Sequence, residues 1–247
     1  MYKYNFESFT TLCELHIGVN DKSYADYIAN LILTQTKSLE SKYSFFSKTS
    51  ELYKANYRLS NVVLVDDEFA SLIQIALFYY EKTKGAFDVV IDGSITLDGN
   101  KLIFSNNNAK IDFGGLVKEY AVDLAMLTLK NHKIDSALVN FGGDLASLGV
   151  YNNKQWNIGI ENPNNDENIM TVEMNNNSLC TSGHSKRYKI INNEKISHII
   201  VKEKNDYLQI SVMAPTTVDA GVWSTALLSK PSLEIPSHIK VIEKIRY

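Results

Sequence analysis

Residues Phe9 to Val19 read as a strand, and the apolar period then changes. From Lys22 onward, Tyr24, Tyr27, Ile28, Leu31 and Ile32 fall at helical spacing on one face, so a long amphipathic helix is predicted directly after the strand. A second helix is announced by Asp66, Asp67 and Glu68, acids suited to the positive end of a helix dipole. Its apolar positions Phe69, Leu72, Ile73, Ala76 and Tyr79 keep the 3.6-residue period, and Gly85 is a natural stop.

Asp98-Gly99-Asn100 sits between apolar residues within Thr96 to Phe104, which is turn chemistry for a hairpin. Ile111 to Phe113 reads as a short strand entering a third helix, Leu116 to Leu129. Beyond it, Ala137 to Phe141, Trp156 to Ile160, Met170 to Met174, Arg187 to Ile191, Ile196 to Val201 and Leu208 to Met213 are short apolar or alternating runs separated by Asn-rich turns. A last helix, Val218 to Leu228, and a final strand, His238 to Ile242, complete the pattern. There is no regular strand-helix repeat, so the expected class is α+β, a largely antiparallel sheet with packed helices. With 247 residues the chain can form one substantial domain across 1–247, or two closely integrated subdomains.

Composition narrows the function classes. Hydrophobic residues at 45% and charged ones at 21% are ordinary for a globular protein. A net charge of −3, with no run of five like charges, lacks the basic footprint of a duplex-binding protein, so nucleic acid is not an expected partner. No segment approaches the ~20 apolar residues of a membrane-spanning helix. As given the chain reads as cytoplasmic, or periplasmic if a signal segment has been removed. Cys13 and Cys180 show no CxxC spacing and read as reduced core cysteines rather than disulfide or metal partners.

Three segments place small residues beside a carboxylate where elements meet: Lys84-Gly85-Ala86-Phe87-Asp88, Ile111-Asp112-Phe113-Gly114-Gly115-Leu116-Val117-Lys118-Glu119-Tyr120-Ala121, and Asn140-Phe141-Gly142-Gly143-Asp144. Glycine pairs let a backbone approach a ligand closely, and the amides at the start of the Leu116 helix suit an anionic phosphate. Tight packing explains any one of these segments equally well.

Their order is more informative. Ser50-Glu51-Leu52 and Asn56, Gly-Ala-Phe-Asp, Asp-x-Gly-Gly-x-x-Lys-x-Tyr-Ala, Leu-Val-Asn-x-Gly-Gly-Asp, Trp-x-Ile-Gly-Ile, Thr181-Ser182-Gly183, His198-Ile199-Ile200 and Ala214-Pro215-Thr216 through Ser224-Thr225-Ala226-Leu227 follow one another along nearly the whole chain. In this order they resemble the ApbE-like FAD:protein FMN transferases. The resemblance implies a Mg²⁺-dependent flavoprotein enzyme with FAD as substrate. It would pass the FMN half to a Ser or Thr of an acceptor flavoprotein carrying a Ser/Thr-Gly-Ala-Ser/Thr motif and release AMP. This chain holds no such motif and is not itself an evident flavinylation target.

The same resemblance assigns residues. Thr10, Phe46, Ala86, Phe87, Asp88, Asp112 and Lys118 stand at FAD-contacting positions, with Phe46 replacing the usual aromatic that packs on the flavin ring. Core packing is the alternative for Phe87, and a solvated side chain for Lys118. A metal would be held by the carbonyl of Gly115 and by groups of the last helix, where Ser224 and Thr225 are in place. Its carboxylate is missing, because Gly221 occupies that position. Asp219 lies about 200° away around the helix and reads as an acid at the helix start. His184 replaces a commonly acidic residue, and Val201-Lys202 replaces the usual Asp-Pro. His198 is retained, either to handle a proton or as a structural histidine between strands. The departures leave two alternatives to the transferase: an FAD-binding homologue that has lost its metal chemistry, and an FAD hydrolase.

Overall fold

The computed structural model describes residues 1–165, 167–184, 188–191, 194–197 and 201–246. The chain opens with a hairpin, β1 (Tyr2–Ser8) and β2 (Thr11–Ile17), then α1 (Lys22–Lys42), α2 (Glu51–Asn56), β3 (Val62–Leu64) and α3 (Asp67–Lys82). Short strands β4 (Val90–Ile91), β5 (Ile95–Asp98), β6 (Lys101–Phe104) and β7 (Lys110–Ile111) lead into α4 (Val117–Asn131). After it come β8 (Ala137–Phe141), β9 (Asp144–Leu148), β10 (Trp156–Glu161), β11 (Asn168–Met174), β12 (Ser178–Gly183), β13 (Tyr188–Ile191), β14 (Glu194–Ser197), β15 (Tyr207–Ala214), α5 (Thr217–Ser229) and β16 (Lys240–Arg246).

A seven-stranded sheet in the order β1-β2-β8-β9-β12-β15-β16, antiparallel throughout, organises the molecule. Alternation along its strands sorts side chains between two faces. Ala137, Val139, Phe141, Ala146, Cys180, Ile210 and Val212 point into the main core, where α4 and α5 pack on the sheet and α1 packs on α4. Leu138, Leu145 and Leu179 point the other way and join Trp156, Ile160 and Met174 of the β10–β11 hairpin in a second apolar cluster. The expected α+β class and the largely antiparallel sheet are therefore present. No helix among the described residues is long and apolar enough to cross a membrane.

The predicted start of α3 at Asp66 is present, and α2 is a short helix that the sequence pattern does not announce. Asp21, Ser50 and Asp66 cap α1, α2 and α3, each accepting a backbone N–H from the first turn. α3 ends at Lys82, and Gly85 adopts φ +75° just beyond, where its N–H donates to Tyr80 O at 2.7 Å. The Asp98–Lys101 hairpin turns through Gly99-Asn100, as the sequence predicts. Elsewhere the boundaries move. Phe9 and Thr10 form the β1–β2 turn, both with positive φ, rather than continuing the predicted strand. Phe113 lies past β7, and its carbonyl accepts the N–H groups of Leu116 and Val117.

The Asn-Phe-Gly-Gly-Asp segment proves to be a tight hairpin joining β8 to β9, in which Phe141 pairs with Asp144 and the two glycines turn the chain at φ +64° and +94°. Asn140 Oδ1 accepts the Gly143 N–H at 2.9 Å, while its amide nitrogen donates to Glu14. A Cβ on Gly142 would stand 2.3 Å from Thr11 Oγ1. Gly142→Ala is accordingly expected to lower stability by about 2 kcal/mol, read from the urea midpoint, because it combines a left-handed backbone with a steric overlap.

Both cysteines are free and buried. Burial pushes the Cys13 thiol up to about 11 and the Cys180 thiol well above its ordinary value. Neither is expected to react with a thiol reagent at pH 8 in the folded protein, and both should react in denaturant.

Candidate active site

α4 and α5 meet where the oxygen-bearing residues gather. In α5, Ser224 Oγ donates to the Gly221 carbonyl at 3.0 Å. Ser182, on β12, reaches both Ser224 Oγ and Thr225 Oγ1 at 2.8 Å. Three hydroxyls and a carbonyl are thus drawn together by a strand and a helix that pack directly on one another. From α4, Glu119 closes against the same turn of α5. A Cβ on Gly221 would lie 2.5 Å from Glu119 Cγ and 3.3 Å from Oε1, so the glutamate occupies the space in which a side chain at 221 would begin. Glu119 is only 6% exposed, and its buried Oε2 has no hydrogen-bond partner among the described residues.

The loop before α4 continues the site. Asp112 Oδ1 accepts the Gly114 N–H at 2.8 Å, and the Asp112 N–H donates to Val89 O at 2.8 Å, tying this loop to the segment after Asp88. Gly115 faces Phe87, whose ring edge would be 3.6 Å from a Cβ there. α4 begins without a side-chain cap; its Leu116 and Val117 amides donate instead to the Phe113 carbonyl. Ala86 and Phe87 are buried, with the Phe87 N–H donating to Thr83 Oγ1 at 3.0 Å. Asp88 meets solvent and accepts the Val90 N–H at 2.8 Å. The surrounding protein nevertheless raises its carboxyl above the ordinary carboxylate value, while the Val90 amide and the Lys202 charge pull it down. Lys202 Nζ donates to the Gly85 carbonyl, so the residue standing where Asp-Pro is expected bridges to the glycine of Gly-Ala-Phe-Asp.

Lys118 and Asp144, 4% and 5% exposed, form a buried ion pair, and Lys118 Nζ also donates to Phe141 O at 3.1 Å. A solvated lysine is thereby ruled out. Asp219 is engaged at the start of α5, where it accepts the Tyr79 hydroxyl at 2.6 Å and the Thr216 hydroxyl at 3.2 Å. Asp123 holds the Thr217 and Val218 N–H groups at 2.7 and 2.9 Å, and burial raises its carboxyl above the usual range.

Residues 9–99 and 91–245 match the model of the ApbE family. The chain belongs to this family. An FAD:protein FMN transferase of Buchnera aphidicola is 26% identical, over 82% of this chain and 72% of its own. One of Klebsiella pneumoniae is 29% identical over 48% of this chain, and the match spans only 36% of that relative's length. Among solved structures, the ApbE protein of Thermotoga maritima superposes with a TM-score of 0.82 at 24% identity, covering 93% of this chain and 87% of that one. The flavin transferase ApbE of Vibrio cholerae gives 0.77 at 18% identity, covering 92% and 87%. These two likenesses concern the fold.

Set on this ApbE-family fold, the residues singled out by sequence divide into groups. Phe87 and Gly115 face one another, and Asp112 is tied to the same loop system. Ser224 and Thr225 share Ser182, and Glu119 links their helix to α4. Thr10 is exposed at the β1–β2 turn, beside the Thr11 on which Gly142 packs. Phe46 is 78% exposed and meets the ring of Phe45 at 5.3 Å. His184 donates its N–H to Leu208 O at 3.1 Å. His198 lies outside the described residues. Sequence reasoning missed Ser182 as a partner of the α5 hydroxyls, and it gave Glu119 no role although that residue lies within the Ile111 to Ala121 segment. A glutamate in the first turn of a helix carries an ordinary dipole explanation, and its burial against a distant glycine leaves no local signal.

Proposed function

We propose that this chain is an FAD:protein FMN transferase, passing the FMN half of FAD to a serine or threonine of an acceptor flavoprotein and releasing AMP. The observation that carries this reading is the meeting of α4 and α5, where Glu119 lies against Gly221 on the helix turn that gathers Ser224, Thr225 and Ser182, four residues along the chain from the Gly115 that faces Phe87. The names of the sequence relatives support the same chemistry. In the proposed arrangement Thr10, Phe46, Ala86, Phe87, Asp88, Asp112 and Lys118 contact FAD. The buried Lys118–Asp144 pair sets the α4 terminus against the Gly142-Gly143 turn, and the positive end of the α4 dipole would favour the diphosphate.

A divalent cation fits this corner. Hard cations such as Mg²⁺ take oxygen donors, and the unpartnered buried Oε2 of Glu119 is an oxygen in need of a partner. Gly115, Ser224 and Thr225 would hold the ion, which supplies charge neutralisation at the phosphates. Of the chain's own groups, the Ser182–Ser224–Thr225 hydrogen bonds hold the three hydroxyls together. The acceptor hydroxyl oxygen bonds to the FMN phosphorus, the P–O bond to AMP breaks, and AMP leaves with the electron pair. His198 is proposed, on the sequence alone, to take the hydroxyl proton.

Gly221 favours a second reading, in which FAD is bound but not cleaved. The test is FAD affinity from quenching of flavin fluorescence, together with AMP release in the presence of Mg²⁺, with and without acceptor peptide. AMP release that depends on the peptide supports the transferase. AMP without peptide dependence points to hydrolysis, and tight FAD binding without AMP to the binder.

A further inference from the structure

We propose that Glu119 is the carboxylate ligand of the divalent cation, delivered from α4 in place of the one that Gly221 cannot supply from α5. The assignment rests on the transferase reading and identifies how its metal is held.

Three observations meet at this residue. Gly221 has no side chain to offer, and the place where one would start is already filled by Glu119, 2.5 Å from its Cγ and 3.2 Å from its Cδ. The absent carboxylate and the intruding one are therefore two halves of a single exchange between facing helices. Secondly, Glu119 is nine-tenths buried with Oε2 unpartnered, although a buried carboxylate oxygen without a hydrogen bond is costly and is ordinarily matched by a donor or a cation. Thirdly, the hydroxyls on the turn of α5 that Gly221 begins are already committed to one another. Ser182 bonds Ser224 and Thr225, and Ser224 bonds the Gly221 carbonyl, and among the described residues none of the three hydroxyls bonds Glu119.

The other charged groups near this corner do not compete for the role. Lys118 is neutralised by Asp144, Asp123 is held by the α5 amides, and Asp219 is held by Tyr79 and Thr216. Cys180, close enough to feel the Glu119 charge, is buried and kept as a thiol, so it offers a hard cation no ligand. Among the described residues Glu119 is the carboxylate that faces Gly221, and it lies one turn after Gly115, the other family metal position at this end of α4.

The test uses Mn²⁺ as a spin probe, titrated into the purified protein with and without FAD, with free Mn²⁺ read by electron paramagnetic resonance. Glu119→Gln, nearly isosteric, is expected to weaken Mn²⁺ binding by about 100-fold. In thermal melts, Mg²⁺ should raise the Tm of the wild type but not of Glu119→Gln, and the metal-free variant should melt no lower than the metal-free wild type, because an unpaired buried charge has been removed. The double variant Glu119→Gly/Gly221→Asp returns the carboxylate to α5 and should recover Mn²⁺ affinity to within about tenfold of the wild type. Equal affinities for wild type and Glu119→Gln overturn the assignment, as does a wild type that binds no Mn²⁺ in either condition. Flavin fluorescence on the same samples separates the two ideas: FAD binding that persists in those cases removes only the role of Glu119, whereas a wild type that does not bind FAD removes the transferase reading itself.

Discussion

Lys118→Met is expected to destabilise the folded protein by about 3–5 kcal/mol, measured by urea or guanidinium denaturation, because it leaves Asp144 charged, buried and unpaired. Asp144 is 5% exposed and cannot recover its lost partner from water. The adjacent Phe141 carbonyl loses a donor at the same time. The cost belongs to the broken pair and not to the lysine as such. The double variant Lys118→Met/Asp144→Leu, which removes both charges, should therefore recover most of the loss, since buried ion pairs contribute little beyond an apolar pair of similar size. If the double variant is as unstable as the single one, the pair does not organise the α4–β9 contact as the geometry indicates.

The second large effect concerns Gly221. On the sequence alone, Gly221→Asp is the natural repair of a missing metal carboxylate. In this fold the same change drives a Cβ against Glu119 Cγ and sets two carboxylates in one buried corner. The expected outcome is a loss of about 2 kcal/mol from overpacking, together with repulsion that raises the pKa of one of the two acids. The sign against pH follows from linkage. A carboxyl whose folded pKa lies above its unfolded value binds more protons in the folded state, so the variant should lose further stability as pH rises through the ordinary carboxylate range toward neutrality. Adding Glu119→Gly should relieve both effects. Denaturation midpoints at acidic and neutral pH for the single and double variants check this directly.

Much of the fold was legible because its signals are local. Asp66 caps a helix that its acidic start announces, the apolar stripes of α1 and α3 keep a helical period, and Asp98-Gly99-Asn100 reads as a turn, whereas the six-residue α2 is too short to show a period. The sequence reading passed over β1, β9 and β12, each for a physical reason. β1 is an edge strand of aromatic and polar residues with one partner, β2. β9, Asp-Leu-Ala-Ser-Leu, is buried at every position and so has no alternation to betray it. β12, Ser-Leu-Cys-Thr-Ser-Gly, has few residues of high strand propensity and is held by neighbours on both sides. The site divides in the same way. Ordered motifs reveal the family, but the Lys118–Asp144 pair, the Ser182 bridge and the Glu119–Gly221 exchange each join residues far apart in sequence, and only the packing of α4, α5 and β12 brings them together.

If this protein moves FMN from FAD onto a hydroxyl of another protein, the mass of the acceptor must change. The purified protein would be incubated with FAD, Mg²⁺ and a peptide carrying Asp-x-x-Ser/Thr-Gly-Ala-Ser/Thr, alongside a control peptide whose final Ser/Thr is Ala. The account predicts a peptide heavier by one FMN less one water, formed in step with AMP, and an unchanged control. An unmodified peptide from a sample that binds FAD and metal would contradict it.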